Sequence, residues 1–142
     1  MADEPALIVR GAGTSKTLTL ADLRRLPSQK IRATPEHRQT ADYECVSVAT
    51  LLASTGASPE KSLRGKRLSE YLLVRASDGY QAVFALPEFD PEFNDRPLWL
   101  CYHEDGKPMP AEEGPLRLLV PGEKRGARWV RKVTEFSVEK QP

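Results

Sequence analysis

Apolar residues in this chain come in short runs separated by glycine, proline and acidic turns, a pattern that predicts many strands and few helices. Ala6-Leu-Ile-Val9 and Lys16-Thr-Leu-Thr-Leu20 flank Gly11-Ala-Gly13 and predict an opening hairpin. Thr19 and Asp22 stand at capping-box spacing ahead of Leu23 and Leu26, so a short helix should start near Leu20 and stop at Pro27. Loose alternation on both sides of Pro35-Glu-His-Arg38 predicts two strands joined by a loop. Ser47 is placed to cap a helix carrying Val48, Leu51 and Leu52 on one face and ended by Gly56. Ser58-Pro59-Glu60 predicts a further short helix ended by Gly65.

In the second half, two alternating runs at residues 70–76 and 80–86 flank Ser77-Asp78-Gly79, the strongest hairpin signal in the chain. Residues 87–97, rich in proline and acids, predict an irregular excursion anchored by Phe89 and Phe93. Leu98-Trp-Leu-Cys-Tyr102 and Leu116-Arg-Leu-Leu-Val120 predict strands, closed by Glu104-Asp-Gly-Lys107 and Pro121-Gly122 respectively. Residues 133–138 complete the set as a closing strand, followed by a polar tail at 139–142. The expected fold class is α+β, mostly β with a few short helices, and the 142 residues suit one domain, 1–142.

Composition narrows the function classes. An apolar fraction of 39% and a charged fraction of 29% fit a globular chain, and a net charge of +1 gives no general attraction for nucleic acid. Charge is unevenly spread: nine acids against Arg96 and Lys107 between Asp78 and Glu113, then six bases against Glu123 between Gly114 and Lys132. That distribution predicts either solvated faces or a basic patch opposite an acidic one. No apolar stretch has the length of a membrane span, and Met1-Ala-Asp-Glu-Pro5 lacks the apolar core of a signal peptide.

Candidate chemistry is sparse. Gly11-Ala-Gly13 is not followed by the Lys-Ser/Thr end of a phosphate loop, and His37 and His103 stand in no recognisable acid–histidine pair. Neither a nucleophile elbow nor a zinc-protease helix motif is present, which sets hydrolase chemistry aside. Lys61, Arg64, Lys66 and Arg67 read as a solvated basic cluster. Cys45 and Cys101 lie in apolar runs and are expected as two small buried side chains, a disulfide arising only if the fold brings them together in an oxidising compartment.

Across residues 98–136 several motifs occur in a fixed order: Leu100-Cys101, Asp105-Gly106, Pro108-Met109-Pro110, Gly114-Pro-Leu-Arg-Leu118, Val120-Pro-Gly122 and Gly126-Ala-Arg-Trp-Val-Arg131. This order resembles the oxidoreductase molybdopterin-binding domain, the central domain of the sulfite oxidase family. Asp78-Gly-Tyr80, and Tyr43-Glu-Cys-Val46 followed by Leu51-Leu52, extend the resemblance, which covers about residues 19–138. It implies a sulfite-oxidase-like fold, export to the periplasm or beyond, and a separate redox or signalling partner, without membrane insertion.

Catalytic relatives carry a molybdenum-binding cysteine upstream of the Tyr-x-Gly-Val segment, where this chain has Ile31-Arg-Ala-Thr-Pro35 and no thiol. The resemblance therefore implies a binding or accessory module without catalytic residues, metal or cofactor. The alternative is a molybdopterin-dependent oxidoreductase of a small oxyanion or sulfoxide, with Cys45 as the molybdenum ligand. The basic loop that helps hold the pterin and its phosphate in the family corresponds to Lys124, Arg125, Arg128, Arg131 and Lys132, which makes these five the candidate anion or pterin ligands. The competing expectation for this loop is a charged β-loop with Trp129 buried at its base. A third reading assigns partner binding to the exposed aromatics of residues 88–93.

Overall fold

Chain order in the computed structural model, which describes residues 4–58 and 63–140, follows the expected alternation of short strands and turns. The elements are β1 (Pro5–Gly11), β2 (Thr14–Thr19), α1 (Leu20–Arg24), β3 (Gln29–Ala33), β4 (Ala41–Ser47), α2 (Val48–Thr55), β5 (Tyr71–Ala76), β6 (Gln81–Ala85), α3 (Leu86–Phe89), β7 (Trp99–Glu104), β8 (Lys107–Pro108), β9 (Arg117–Leu119) and β10 (Val133–Glu139). Short 3₁₀ turns lie at Gly65–Ser69 and Gly126–Arg128.

Local chemistry sets the helix ends. The Asp22 N–H donates to Thr19 Oγ1 (3.1 Å) and the Thr19 N–H donates to Asp22 Oδ2 (2.9 Å), the reciprocal box that the spacing predicted. These bonds, chiefly that from the Thr19 backbone, hold the Asp22 carboxyl below its usual range. Ser47 Oγ accepts from the Thr50 N–H, and Gly56 ends α2 in the left-handed conformation (φ 80). Gly65 opens the 3₁₀ turn Gly65–Ser69. The expected helix at Ser58-Pro59-Glu60 and the side chain of Lys61 lie outside the described residues.

Two five-stranded sheets form. One runs β2-β1-β10-β5-β6 and the other β3-β4-β7-β8, with β9 also paired to β7. In the first, β1 pairs parallel with β10, so Val9 faces Phe136 across strands from opposite ends of the chain. Alternation places Leu7, Val9, Leu72, Val74 and Phe136 inward, where they join Tyr43, Cys45, Leu100, Leu118, Leu51 and Leu52 in one apolar cluster.

The cysteines correct an expectation. Both are fully buried, as their apolar runs predicted, but they are not two separate side chains: β4 pairs antiparallel with β7 so that Cys45 faces Cys101, and the sulfurs form a disulfide. Strand register, invisible in the spacing of 56 residues, supplies the proximity.

The double variant Cys45→Ala/Cys101→Ala is expected to fold but to lose roughly 2–4 kcal/mol, because the bridge restricts a long loop in the unfolded chain. Urea denaturation checks this. Alkylation of the unreduced, denatured wild type should leave both cysteines unmodified.

Candidate functional site

The second sheet and the segments leaving it build an open, two-lobed trough. One lobe, of about 290 Å³, is lined by residues 35–38 of the β3–β4 loop together with Glu113, Arg117, Trp129 and Arg131. The other, of about 470 Å³, is bordered by Asp78, Tyr80, Arg125 and Val130. Glu36, Gly126, Trp129 and Arg131 belong to both. Left-handed backbone at His37 (φ 65) turns the β3–β4 loop, and Glu36 Oε1 accepts a hydrogen bond from the Gly126 N–H (2.9 Å), tying this loop to the segment after β9.

Charge is concentrated in the floor. Glu113, only 4% exposed, is held in place by the bend at 110–114, where its own N–H and that of Gly114 both donate to Pro110 O (2.9 Å each). Gly114 permits that bend, since a Cβ there would meet Met109 Cβ at 2.5 Å. Arg117 Nη1 donates to Glu113 Oε1 (2.6 Å) and Arg117 Nη2 to Trp129 O (3.3 Å), while Arg38 pairs with the other Glu113 oxygen and with Glu104 Oε2 (2.7 Å). Arg117 is 3% exposed; burial lowers its pKa, and Arg38 and Arg131 add to the lowering against the opposing effect of Tyr43 and Glu104. Tyr43 is fully buried beside this network, and desolvation followed by the Glu104 carboxylate raises its hydroxyl above the ordinary value.

Among the described residues, four buried side-chain polar atoms have no hydrogen-bond partner: Tyr43 Oη, Glu104 Oε1, Arg117 Nε and Trp129 Nε1. All belong to this floor or its wall. A buried donor without an acceptor is costly.

The five basic residues expected to act as one loop are separated. Arg131 lines both lobes and Arg125 one, and neither forms an ion pair with a described carboxylate. Arg128 instead donates to Glu123 Oε1 (2.5 Å) and Oε2 (3.1 Å), to Glu88 Oε1 (3.1 Å) and to Val83 O (2.8 Å), with its guanidinium 4.2 Å from the Phe84 ring centre. The bonds to Glu123, ahead of those to Glu88, raise its pKa and hold it charged. Lys124 is exposed outside both lobes, and Lys132 works through its backbone, donating to Glu113 O (2.9 Å) and accepting from the Ser77 N–H (3.0 Å). Trp129, 9% exposed, sits where the charged-loop expectation placed it.

The acidic and basic blocks fold onto each other at two points, Arg117 on Glu113 and Arg128 on Glu88, rather than forming opposed patches there. Of the two aromatics in the excursion, Phe89 is buried and Phe93 is 46% exposed, so only the latter is presented to solvent. His37 is exposed on the trough rim, and His103 accepts at Nε2 from Arg24 (2.7 Å) outside it. Sequence reasoning missed Tyr43, Glu104 and Glu113. A charged residue inside the apolar run 116–120 was the available signal, because a buried arginine demands a carboxylate.

A two-sheet domain whose second sheet carries an arginine-floored trough is the class defined by this architecture. The sequence matches the family described as "Oxidoreductase molybdopterin binding domain" over residues 2–142, and the chain belongs to that family. No curated protein matches it. Among solved structures, the sulfane dehydrogenase SoxCD from Paracoccus pantotrophus has a similar fold, with a TM-score of 0.74 and 21% sequence identity. The match covers 99% of this chain and 39% of that one, so this chain spans about two fifths of the neighbour's length. The sulfite-oxidase-like, mostly β fold is thereby established. Among the described residues no helix is long and apolar enough to cross a membrane, and no three His, Cys, Asp or Glu side chains cluster as metal ligands.

Glu113→Ala is expected to destabilise the protein by about 3–5 kcal/mol, because it leaves two guanidiniums facing each other without the buried carboxylate. Chemical denaturation tests this. Tyr43 should ionise above the ordinary tyrosine value. Its folded pKa lies above the unfolded one, so its contribution is fully present below the unfolded value and is lost as pH rises through the folded value. Ultraviolet titration of wild type and Tyr43→Phe gives the comparison.

Proposed function

We propose that this chain is a molybdenum-free member of the molybdopterin-binding family, working as a binding or accessory module rather than as an oxidoreductase. The observation that carries this reading is the state of the two cysteines. Cys45 is buried in the sheet interior with its sulfur joined to Cys101, and no free cysteine remains in the chain. A soft, electron-donating thiolate is what the family's metal requires of the protein. The approach to the trough from β3 offers Ala33 and Thr34 instead.

The residues present thus fit only half of the group. Arg131 and Arg125 suit an anion, whereas the donor set contains no thiolate for molybdenum. Using Cys45 would require opening the disulfide and withdrawing a core residue from β4. One of the family loop's basic positions is also diverted, Arg128 into its carboxylate clamp. A disulfide of this kind suits an oxidising compartment, which supports the periplasmic or secreted location belonging to the same proposal. A separate partner protein would use what the module binds.

Protein purified from a host that makes molybdopterin is expected to contain no molybdenum and no pterin–thiolate absorption in the visible. One molybdenum per chain, lost in Cys45→Ser, would establish the oxidoreductase reading instead.

A further inference from the structure

Glu36 is the one carboxylate lining both lobes of the trough, and it enters from a different segment than the floor it covers. Its Oε1 accepts from the Gly126 N–H, 90 residues away in sequence (2.9 Å). Gly126 is fitted to it: a Cβ at that position would meet Glu36 Cβ at 2.9 Å and Oε1 at 3.1 Å. The φ of Gly126 is not in the left-handed region, so here the lack of a side chain serves close approach rather than conformational freedom.

Charge bookkeeping around the trough points the same way. Arg38, Arg117 and Arg131 supply three guanidiniums, and Glu36, Glu104 and Glu113 supply three carboxylates. Glu104 and Glu113 are bonded to Arg38 or Arg117, leaving Arg131 without a described ion-pair partner. Arg125 adds a further cation, and Asp78 a carboxylate, to the lining of the second lobe. The wall between the lobes carries Trp129, nine-tenths buried, whose Nε1–H has no acceptor. Arg117, more buried still, has a free Nε–H in the floor. Beside the unpartnered Glu104 Oε1 and Tyr43 Oη, these two donors suit an added acceptor anion.

The geometry points to a ligand site for a small carboxylate in which Glu36 acts as the internal stand-in for the ligand. An incoming carboxylate takes the place of the Glu36 side chain at the Gly126 N–H, in the part of the trough that Arg131 also lines, an exchange of one negative charge for another. The Glu36 side chain, already solvent-exposed, then swings out while Arg38 keeps the β3–β4 loop on Glu113 and Glu104. No bond is made or broken. The device couples occupancy of the trough to displacement of the Glu36 carboxylate, giving a partner a relocated acidic side chain to recognise. This rests on the reading of the chain as a molybdenum-free binding module.

Full-length protein is first assayed for molybdenum and then titrated with sodium acetate and, separately, with sodium phosphate, following the indole N–H resonances of Trp99 and Trp129 by NMR. Acetate should shift Trp129 and not Trp99. Glu36→Ala should bind acetate roughly tenfold more tightly than wild type, the size expected when one charge-assisted competitor is removed. Glu36→Gln, which keeps the shape and removes the charge, should also tighten binding, and Arg131→Ala should abolish it. Equal acetate affinity in wild type and both Glu36 variants, or no acetate binding to any of them, overturns the proposal, as does phosphate binding more tightly than acetate. Those results in molybdenum-free protein defeat this inference alone. Molybdenum in the protein defeats the reading beneath it.

Discussion

Glu113 is the buried charge on which the arrangement of the trough depends. Its two oxygens are divided between Arg117 on β9 and Arg38 on the β3–β4 loop, so one carboxylate fixes two segments that lie far apart in sequence. Removing a carboxylate from water is expensive, and the cost is met here by two guanidiniums and a backbone bend that presents the side chain in one orientation. The bend needs Gly114, and the guanidinium of Arg117 is steadied by Trp129 O. Trough wall, trough floor and loop therefore share one electrostatic anchor.

Much of the local structure was legible along the sequence. The Thr19/Asp22 box, the Ser47 and Gly56 caps and the Asp78-Gly79 turn are short-range devices, each contained within a few residues, and each appears where its chemistry required. Family resemblance carried the fold class further than local patterns could. What local reasoning did not reach was pairing between distant strands. The parallel contact of β1 with β10 and the facing of Cys45 by Cys101 depend on sheet order and register, neither of which leaves a periodic trace.

The candidate site was legible in part. Residues 125–127 and 129–131 line the trough, but composition could not assign the cations individually. Arg125 and Arg131 remain available to a ligand, while Arg128 is enclosed by Glu88, Glu123 and Phe84 from three different parts of the chain. A basic run looks uniform in sequence because charge type is visible and counter-charge is not. Glu36 shows the same limit from the other side: an exposed loop acid acquires a role only once Gly126 is placed beneath it.

The parallel ladder between β1 and β10 carries a consequence for how the first sheet is closed. β10 lies in the middle of that sheet, between β1 and β5, and is the last of the described strands in chain order. Without it the sheet divides into two hairpins, β1–β2 and β5–β6, with no strand pairing between them. One strand is thus the keystone of five, and its removal would bare two unpaired edges at once.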